Sequence, residues 1–153
     1  MPKIDVSKQP VQPNVFYPAP FRHIVEGREK RRLGDVAGLT QFGVNLTLLK
    51  PGAASAIRHW HESEDEFVYV LKGEVTLVEN EGDIVLKAGE AAGFKAGVAN
   101  AHHLVNRSLS DVVVLEIGTR AQVERTHYPD DDLQVYRDAT TSIIARKSGE
   151  TYA

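Results

Sequence analysis

Between residues 39 and 118 the chain repeats one pattern, in which short runs rich in β-branched and aromatic residues end at turns that contain glycine. The runs cover residues 42–49, 57–61, 67–71, 75–78, 84–87, 102–106 and 112–117. Short strands that recur about every ten residues favour an all-β sandwich or barrel over alternating βαβ units. The alternation in residues 42–49 places Phe42, Val44, Leu46 and Leu48 on one face of a strand.

Composition excludes several classes of protein. The 153 residues are 42% apolar and 25% charged, which is typical of one globular domain. A net charge of −3 gives no electrostatic reason to expect nucleic acid, and the longest apolar run, residues 67–71, is too short to cross a bilayer. Cysteine is absent, which excludes disulfides and thiolate metal sites. We therefore expect a cytoplasmic protein with neither a nucleic-acid nor a membrane partner.

Three segments are predicted. Residues 1–38 contain five of the seven prolines and form an extended N-terminal arm and entry segment, which is either a loose tail or a strap along a neighbouring subunit. Residues 39–118 form the core of β-strands, and residues 119–153 pack on it. The basic run at residues 28–32 is interpreted as a solvated turn, with a binding patch for an acidic ligand as the alternative. Residues 135–146 fit either a strand pair or a helix.

The first chemical constellation is His59, His61 and Glu66. Strand residues two apart point to the same side, so the two imidazoles share a face. If this strand turns back and pairs with the run at 67–71, the Glu66 carboxylate reaches both rings. A carboxylate buried beside two imidazoles needs a compensating charge, which a cation supplies. The neighbouring acids Glu62, Glu64 and Asp65 are expected to face water.

A second histidine pair, His102 and His103, supplies a third imidazole. Neighbouring strand residues point to opposite faces, so one of the two joins the site. His103 shares its face with Arg107, and buried arginine is rare, so His102 is assigned inside. Three nitrogens and one carboxylate suit a divalent transition metal such as Fe, Mn, Ni, Cu or Zn.

These residues resemble the two motifs of the cupin superfamily. His59, His61, Glu66 and Gly73 have the spacing of the first motif. The second motif is represented by Gly89, by the turn at residues 95–97, and by His102 with Asn106 four residues later. This second motif departs from the family in two ways: Lys95 stands where proline is usual, and Asn100 stands at the usual histidine position. A two-residue bulge would reconcile the spacing at His102.

The resemblance implies a jelly-roll β-barrel with a metal in its mouth, held by His59, His61, Glu66 and His102, and it implies frequent dimerisation. In such a barrel one set of apolar side chains would wall a mainly hydrophobic cavity: Leu46, Leu48, Val68, Val70 and Leu104. The function expected is that of a metalloenzyme of dioxygenase, isomerase or decarboxylase type, acting on a small polar organic molecule. The alternative is a non-catalytic module that binds a small molecule through its metal. The sequence does not decide between enzyme and binder, and it identifies no catalytic base, although Glu62 and Tyr69 are considered. A homodimer is predicted.

Overall fold

The computed structural model describes residues 2–152, which form twelve β-strands, one short α-helix and two 3₁₀ helices. The strands are β1 (Arg28–Arg32), β2 (Phe42–Leu49), β3 (Trp60–His61), β4 (Glu66–Lys72), β5 (Glu74–Glu79), β6 (Gly82–Lys87), β7 (Ala91–Phe94), β8 (His103–Val105), β9 (Val112–Thr119), β10 (Glu124–Tyr128), β11 (Leu133–Arg137) and β12 (Ser142–Ala145). The α-helix α1 spans Leu33–Val36, and the 3₁₀ helices span Val6–Lys8 and Ala19–Val25. The all-β prediction is confirmed.

The strands form three antiparallel sheets. The five-stranded sheet has the order β1-β2-β9-β4-β7, the four-stranded sheet β12-β11-β10-β3, and the three-stranded sheet β6-β5-β8. Isolated bridges from Ala54 to Val105 and from His59 to His102 connect residues 54–59 to the edge of the three-stranded sheet. That segment then runs directly into β3, so the two smaller sheets act as one wall.

The main hydrophobic core lies between this wall and the five-stranded sheet. The sheet contributes Leu49, Val70 and Val114, and the wall contributes Val75 and Leu77. These side chains are at most 4% exposed, so the closed end of the barrel is dry. Burial of this apolar area supplies the main driving force for folding. Polar and charged side chains are left at the open end.

The phase predicted for β2 is wrong. Leu46 and Leu48 are only half-buried, whereas Thr47 and Leu49 are fully buried. The inner face of this strand carries the polar residues Asn45 and Thr47, whereas Leu46 and Leu48 lie on the outer face, where Leu46 pairs with Leu115 on β9. Alternation alone therefore did not identify the inner face. Val68, Val70 and Leu104 do lie in the core as predicted.

The N-terminal segment folds back on its own chain. Gln12 bridges to Lys30, and the Tyr17 hydroxyl accepts a hydrogen bond from the buried backbone N–H of Ile57. Tyr17 and Val25 join a second core with Tyr128 and Leu133. These two residues come from the four-stranded sheet, which we call the C-terminal sheet because β10, β11 and β12 belong to it. The basic run is strand β1 of the five-stranded sheet, not a solvated turn. Residues 135–146 contribute strands to the C-terminal sheet, so the strand-pair alternative holds there.

None of the helices in residues 2–152 has the length and apolar character needed to span a bilayer.

Candidate metal centre

Three imidazoles converge on the carboxylate of Glu66. His59 Nε2 lies 3.0 Å from Glu66 Oε1, and His61 Nε2 contacts the same oxygen. His102 Nε2 lies 3.2 Å from the other oxygen, Oε2. Ligand atoms of His59, His61 and Glu66 all lie within 4.8 Å of one another, which is compatible with a single ion between them. The structure thus brings together the four side chains that the sequence singled out.

The four groups come from both walls of the barrel. The backbones of His59 and His102 exchange two hydrogen bonds, of 3.1 and 2.9 Å, which places their rings side by side. His61 is fixed by the pairing of β3 with β10, and Glu66 opens β4 in the facing sheet. The expectation that the histidine strand pairs with the glutamate strand is therefore wrong. The carboxylate reaches the imidazoles across the barrel because the two sheets pack face to face.

The donor set fits a cation. His59 Nδ1 is 2.6 Å from the carbonyl oxygen of Ile57, and His102 Nδ1 is 2.9 Å from that of Asn100. A carbonyl oxygen only accepts, so both Nδ1 atoms carry a proton and both rings direct Nε2 at Glu66. In a neutral ring of this tautomer the lone pair lies on Nε2. Lone pairs facing a carboxylate repel it unless a proton or a metal ion lies between them.

Charge within the cluster shifts two pKa values. Burial disfavours ionisation of Glu66, but the three imidazoles outweigh it and hold the carboxyl pKa well below its ordinary value of 4.5. Burial likewise opposes a charged His61, yet the hydrogen bond and charge of Glu66 raise the pKa of this ring above its ordinary 6.5. In the absence of metal, the centre therefore favours a carboxylate beside a protonated imidazole.

His102 and His103 point to opposite faces, and His102 is the one that points inwards, as predicted. His102 faces Glu66, and its ring stacks on Phe94 at a centroid distance of 3.5 Å. His103 points to the other face, where its Nδ1 donates to the carbonyl of Ala56 at 2.7 Å. A turn at residues 95–100 absorbs the extra spacing, and the Gly97 N–H within it binds the carbonyl of His61 at 2.9 Å. The two sequence motifs are therefore joined by a direct hydrogen bond.

Two buried carboxylates, Glu64 and Glu124, lie on the Nδ1 side of His61. Glu124 is 3% exposed, and its oxygens accept the backbone N–H groups of Glu62 and Ser63, both at 2.9 Å. Glu124 Oε1 also lies 3.4 Å from His61 Nδ1. Glu64 accepts from Arg137 Nη2 at 2.7 Å and from the N–H of Ala121. The expectation that Glu64 faces water is therefore wrong, because the C-terminal sheet covers it.

A cavity of about 370 Å³ opens beside this cluster and is lined by His59, His61 and Glu66. One of its walls is basic, because Arg28, Lys30 and Arg32 alternate along β1 and all line it. Lys30 has a side chain only 19% exposed, and burial lowers its pKa despite the nearby charge of Glu116. Arg32 lies at the exposed rim, and within residues 2–152 its guanidinium has no hydrogen-bond or ion-pair partner. The binding-patch alternative for the basic run agrees with this placement.

Glu116 is a further acid inside this cavity. It lies on β9 in phase with the buried Val112 and Val114. Its Oε1 accepts a hydrogen bond from the Thr47 hydroxyl and lies 3.9 Å from Lys30 Nζ. The sequence analysis did not select it, although a charged residue in phase with buried valines was the available signal. Glu124 had no comparable signal.

Other side chains considered from sequence lie outside the cavity. The Glu62 carboxylate accepts a hydrogen bond from His127 Nε2 at 2.7 Å. Tyr69 is 38% exposed on the outer face of the five-stranded sheet. His127 stacks on Trp60 at a centroid distance of 4.4 Å. Neither Glu62 nor Tyr69 therefore suits the role of base.

Comparison with known proteins agrees with this architecture. The family model for the cupin domain matches residues 45–118. A sugar phosphate isomerase of the cupin superfamily from Silicibacter pomeroyi is 39% identical over 99% of this chain and 97% of that chain, with a TM-score of 0.94. This chain belongs to the cupin superfamily. Its fold is the cupin jelly-roll barrel that the motifs implied.

Two further structures place this cupin among its relatives. A proposed sugar phosphate isomerase from Acidithiobacillus ferrooxidans is 31% identical over 79% of this chain and 77% of that one, with a TM-score of 0.73. The polyketide cyclase of Streptomyces resistomycificus is 21% identical over 78% and 79% of the two chains, with a TM-score of 0.63, and shares the fold. The search of curated proteins found no match.

Proposed function

We propose that this cupin is a metal-dependent isomerase that interconverts the aldose and ketose forms of a small phosphorylated sugar. The observation that carries the proposal is the basic wall of β1 directly beside the cluster of three imidazoles and one carboxylate. A phosphorylated sugar has an anionic phosphate group at one end, which cationic side chains bind. Its other end carries a carbonyl and a neighbouring hydroxyl. The cavity offers a matching group for each end.

His59, His61, Glu66 and His102 would hold the divalent transition metal. Their Nε2 atoms and carboxylate oxygens form a nitrogen–oxygen set that suits such ions better than calcium or magnesium. When bound, the metal supplies a Lewis acid for the carbonyl and hydroxyl oxygens of the sugar. Phe94, stacked on His102, restricts the rotation of that ring.

Arg32 and Lys30 would take the phosphate group. A guanidinium binds phosphate through two parallel hydrogen bonds, and Arg32 is free to do so at the rim. Lys30 lies deeper, where low solvent exposure strengthens its attraction to an anion. Arg28 is held by Asn14 and by the carbonyl of Ser55, so it adds charge rather than a free donor.

The names of two relatives support the same substrate class. The protein from Silicibacter pomeroyi is called a sugar phosphate isomerase, and the one from Acidithiobacillus ferrooxidans is proposed to be one. The first covers nearly the whole chain, including β1, so the comparison extends to the basic wall.

The test is a substrate screen by NMR. Protein loaded separately with Mn, Fe, Ni, Cu or Zn is incubated with aldose phosphates of three to six carbons, and the ketose product is measured. We expect turnover of at least one phosphorylated sugar, little with the unphosphorylated sugar, and none after the His59→Ala change. Tight binding without turnover in every metal form would favour the non-catalytic alternative. No metal binding and no sugar phosphate binding would contradict both functions.

A further inference from the structure

The cavity contains five carboxylic side chains, and four of them already have a structural task. Glu66 faces the three imidazoles. Glu64 and Glu124 are at most 9% exposed and accept backbone N–H groups. Asp65 accepts the N–H of Ala96. Isomerisation requires a group that carries a proton between neighbouring carbons, and these four are poorly placed to do so.

Glu116 differs from the other four. Its side chain is 21% exposed and lies within the cavity, so a ligand can reach it. One oxygen accepts from Thr47, whereas Oε2 has no hydrogen-bond partner among residues 2–152. Thr47 is fully buried, which fixes the orientation of the carboxylate. An oriented carboxylate with one free oxygen is the geometry that a general base requires.

The sheet register places Glu116 at a suitable distance from the metal centre. Glu66 lies opposite Gly118, and Val68 lies opposite Glu116, so Glu116 is the diagonal neighbour of Glu66 on the same inner face. Diagonal neighbours are about 7 Å apart between strands. Gly118, which lies opposite Glu66, has no side chain, and a Cβ there would lie 3.1 Å from the carbonyl oxygen of Asp65 and 3.8 Å from Glu66 Cγ. No side chain from β9 therefore stands beside Glu66 at this position.

We infer that Glu116 is the catalytic base of the isomerisation, an inference that rests on the proposed function. In the forward direction the C2–H bond of the aldose breaks, and its proton moves to Glu116 Oε2. The electron pair forms the C1–C2 double bond, and the carbonyl pair moves to O1, which gives an enediolate. The O2 proton then passes to O1, the C2–O2 double bond forms, and Glu116 returns its proton to C1.

Thr47 and Lys30 support this role through the same carboxylate oxygen, Oε1. The Thr47 hydroxyl donates to the charged form of Glu116, and the Lys30 ammonium lies 3.9 Å away. Both contacts hold the carboxylate while its second oxygen stays free. Thr47 is a positioning residue because it acts through Glu116.

The test compares Glu116→Gln with Glu74→Gln, a change at an exposed glutamate on β5 outside the cavity. Each variant is assayed on the sugar phosphate that the wild type isomerises, with the same metal. We expect kcat of Glu116→Gln to fall at least 100-fold, because general-base catalysis contributes about 10²–10⁴-fold. Glu74→Gln should match the wild type.

Two binding measurements separate catalysis from folding. Affinity for the metal alone, and for the polyol phosphate made by reducing the substrate, should stay within threefold in Glu116→Gln. If this variant does not fold, Thr47→Val decides, with an expected tenfold fall in kcat at unchanged KM. A third readout is the loss of C2 deuterium to water from a C2-deuterated substrate, which should fall with kcat in Glu116→Gln.

The outcomes distinguish the two proposals. A wild type that isomerises no sugar phosphate overturns the proposed function, and the role of Glu116 with it. An active wild type with Glu116→Gln or Thr47→Val turning over at the wild-type rate overturns only the role of Glu116. Complete transfer of the C2 deuterium to C1 in the wild type also overturns that role, because it indicates direct hydride transfer.

Discussion

At the scale of single residues, the charges of Glu66 and His61 depend on each other. Each group is driven towards its charged form by its neighbours, although burial opposes both. A carboxyl whose pKa is lowered on folding stabilises the protein above its unfolded pKa, and a histidine whose pKa is raised does so below its unfolded pKa. The metal-free centre therefore contributes most to stability between pH 4.5 and 6.5.

A pH dependence of stability follows for chelator-treated protein. The contribution of His61 is lost as the pH rises above 6.5 through its raised pKa, and that of Glu66 as the pH falls below 4.5 through its lowered one. Melting temperatures measured from pH 4 to 9 should show the difference between wild type and His61→Gln shrink on the alkaline side. A difference that grows with pH would contradict the assignment.

Arg32 provides a residue-scale test of the phosphate contact. Arg32→Ala should raise KM for the phosphorylated substrate about tenfold or more, because a charge-assisted contact contributes roughly 1.5–3 kcal/mol. The melting temperature should hardly change, since Arg32 lies at the exposed rim. Arg107→Ala is the matched control, because its ion pair with Asp83 lies outside the cavity. Equal KM values for the two variants would remove Arg32 from the site.

At the scale of elements, the C-terminal sheet helps to build the candidate metal centre. β10 pairs with β3, and its Thr126 hydroxyl lies 3.2 Å from His61 Nδ1. Glu124, at the start of the same strand, holds the loop between β3 and β4 through two backbone N–H groups. The loop that separates His61 from Glu66 is thus fixed by residues more than fifty positions later.

Glu124→Ala is predicted to affect stability and metal affinity together. Two hydrogen bonds to a charged group are lost, which should lower the free energy of unfolding by about 3 kcal/mol or more. Metal affinity should fall about 10–100-fold because the carboxylate also faces His61. Urea denaturation and metal titration measure the two effects. Glu150→Ala, an exposed change, is the control, and unchanged metal affinity in Glu124→Ala would refute the orienting role.

At the scale of the whole molecule, the outer face of the five-stranded sheet stays apolar. Phe67, Tyr69 and Leu71 are 43%, 38% and 48% exposed along β4. Exposed apolar side chains that line one strand are typical of an interface. The homodimer predicted from sequence stays a prediction, and this is the face on which we expect it.

The dimer prediction is tested by changing two side chains on that face. Phe67→Asp with Leu71→Asp should convert a dimer into a monomer, as measured by light scattering after size exclusion. The matched control is Ile84→Asp with Val85→Asp, which alters exposed apolar residues on β6 in a different sheet. A wild type that is monomeric at all concentrations would contradict the prediction.

The local sequence was sufficient for the all-β class and for the choice of the side chains that cluster, whereas the barrel was implied by the resemblance to the cupins. Strand β2 was predicted with its observed bounds, and the spacing of His59, His61 and Glu66 selected side chains that the fold does bring together. Parity separated His102 from His103, because successive strand residues point to opposite faces. These features depend on the geometry of one strand at a time.

The rest was decided by which strands become neighbours. Three features depend on pairings between distant segments. They are the place of β1 in the cavity wall, the face of β2 that turns inwards, and the position of Glu116 and Glu124 near the histidines. Several inner residues are polar, and several outer ones are apolar, so hydrophobic pattern alone assigns them to the wrong side. Burial is a property of the packed sheets, and a periodic sequence specifies two faces without specifying which of them meets another layer.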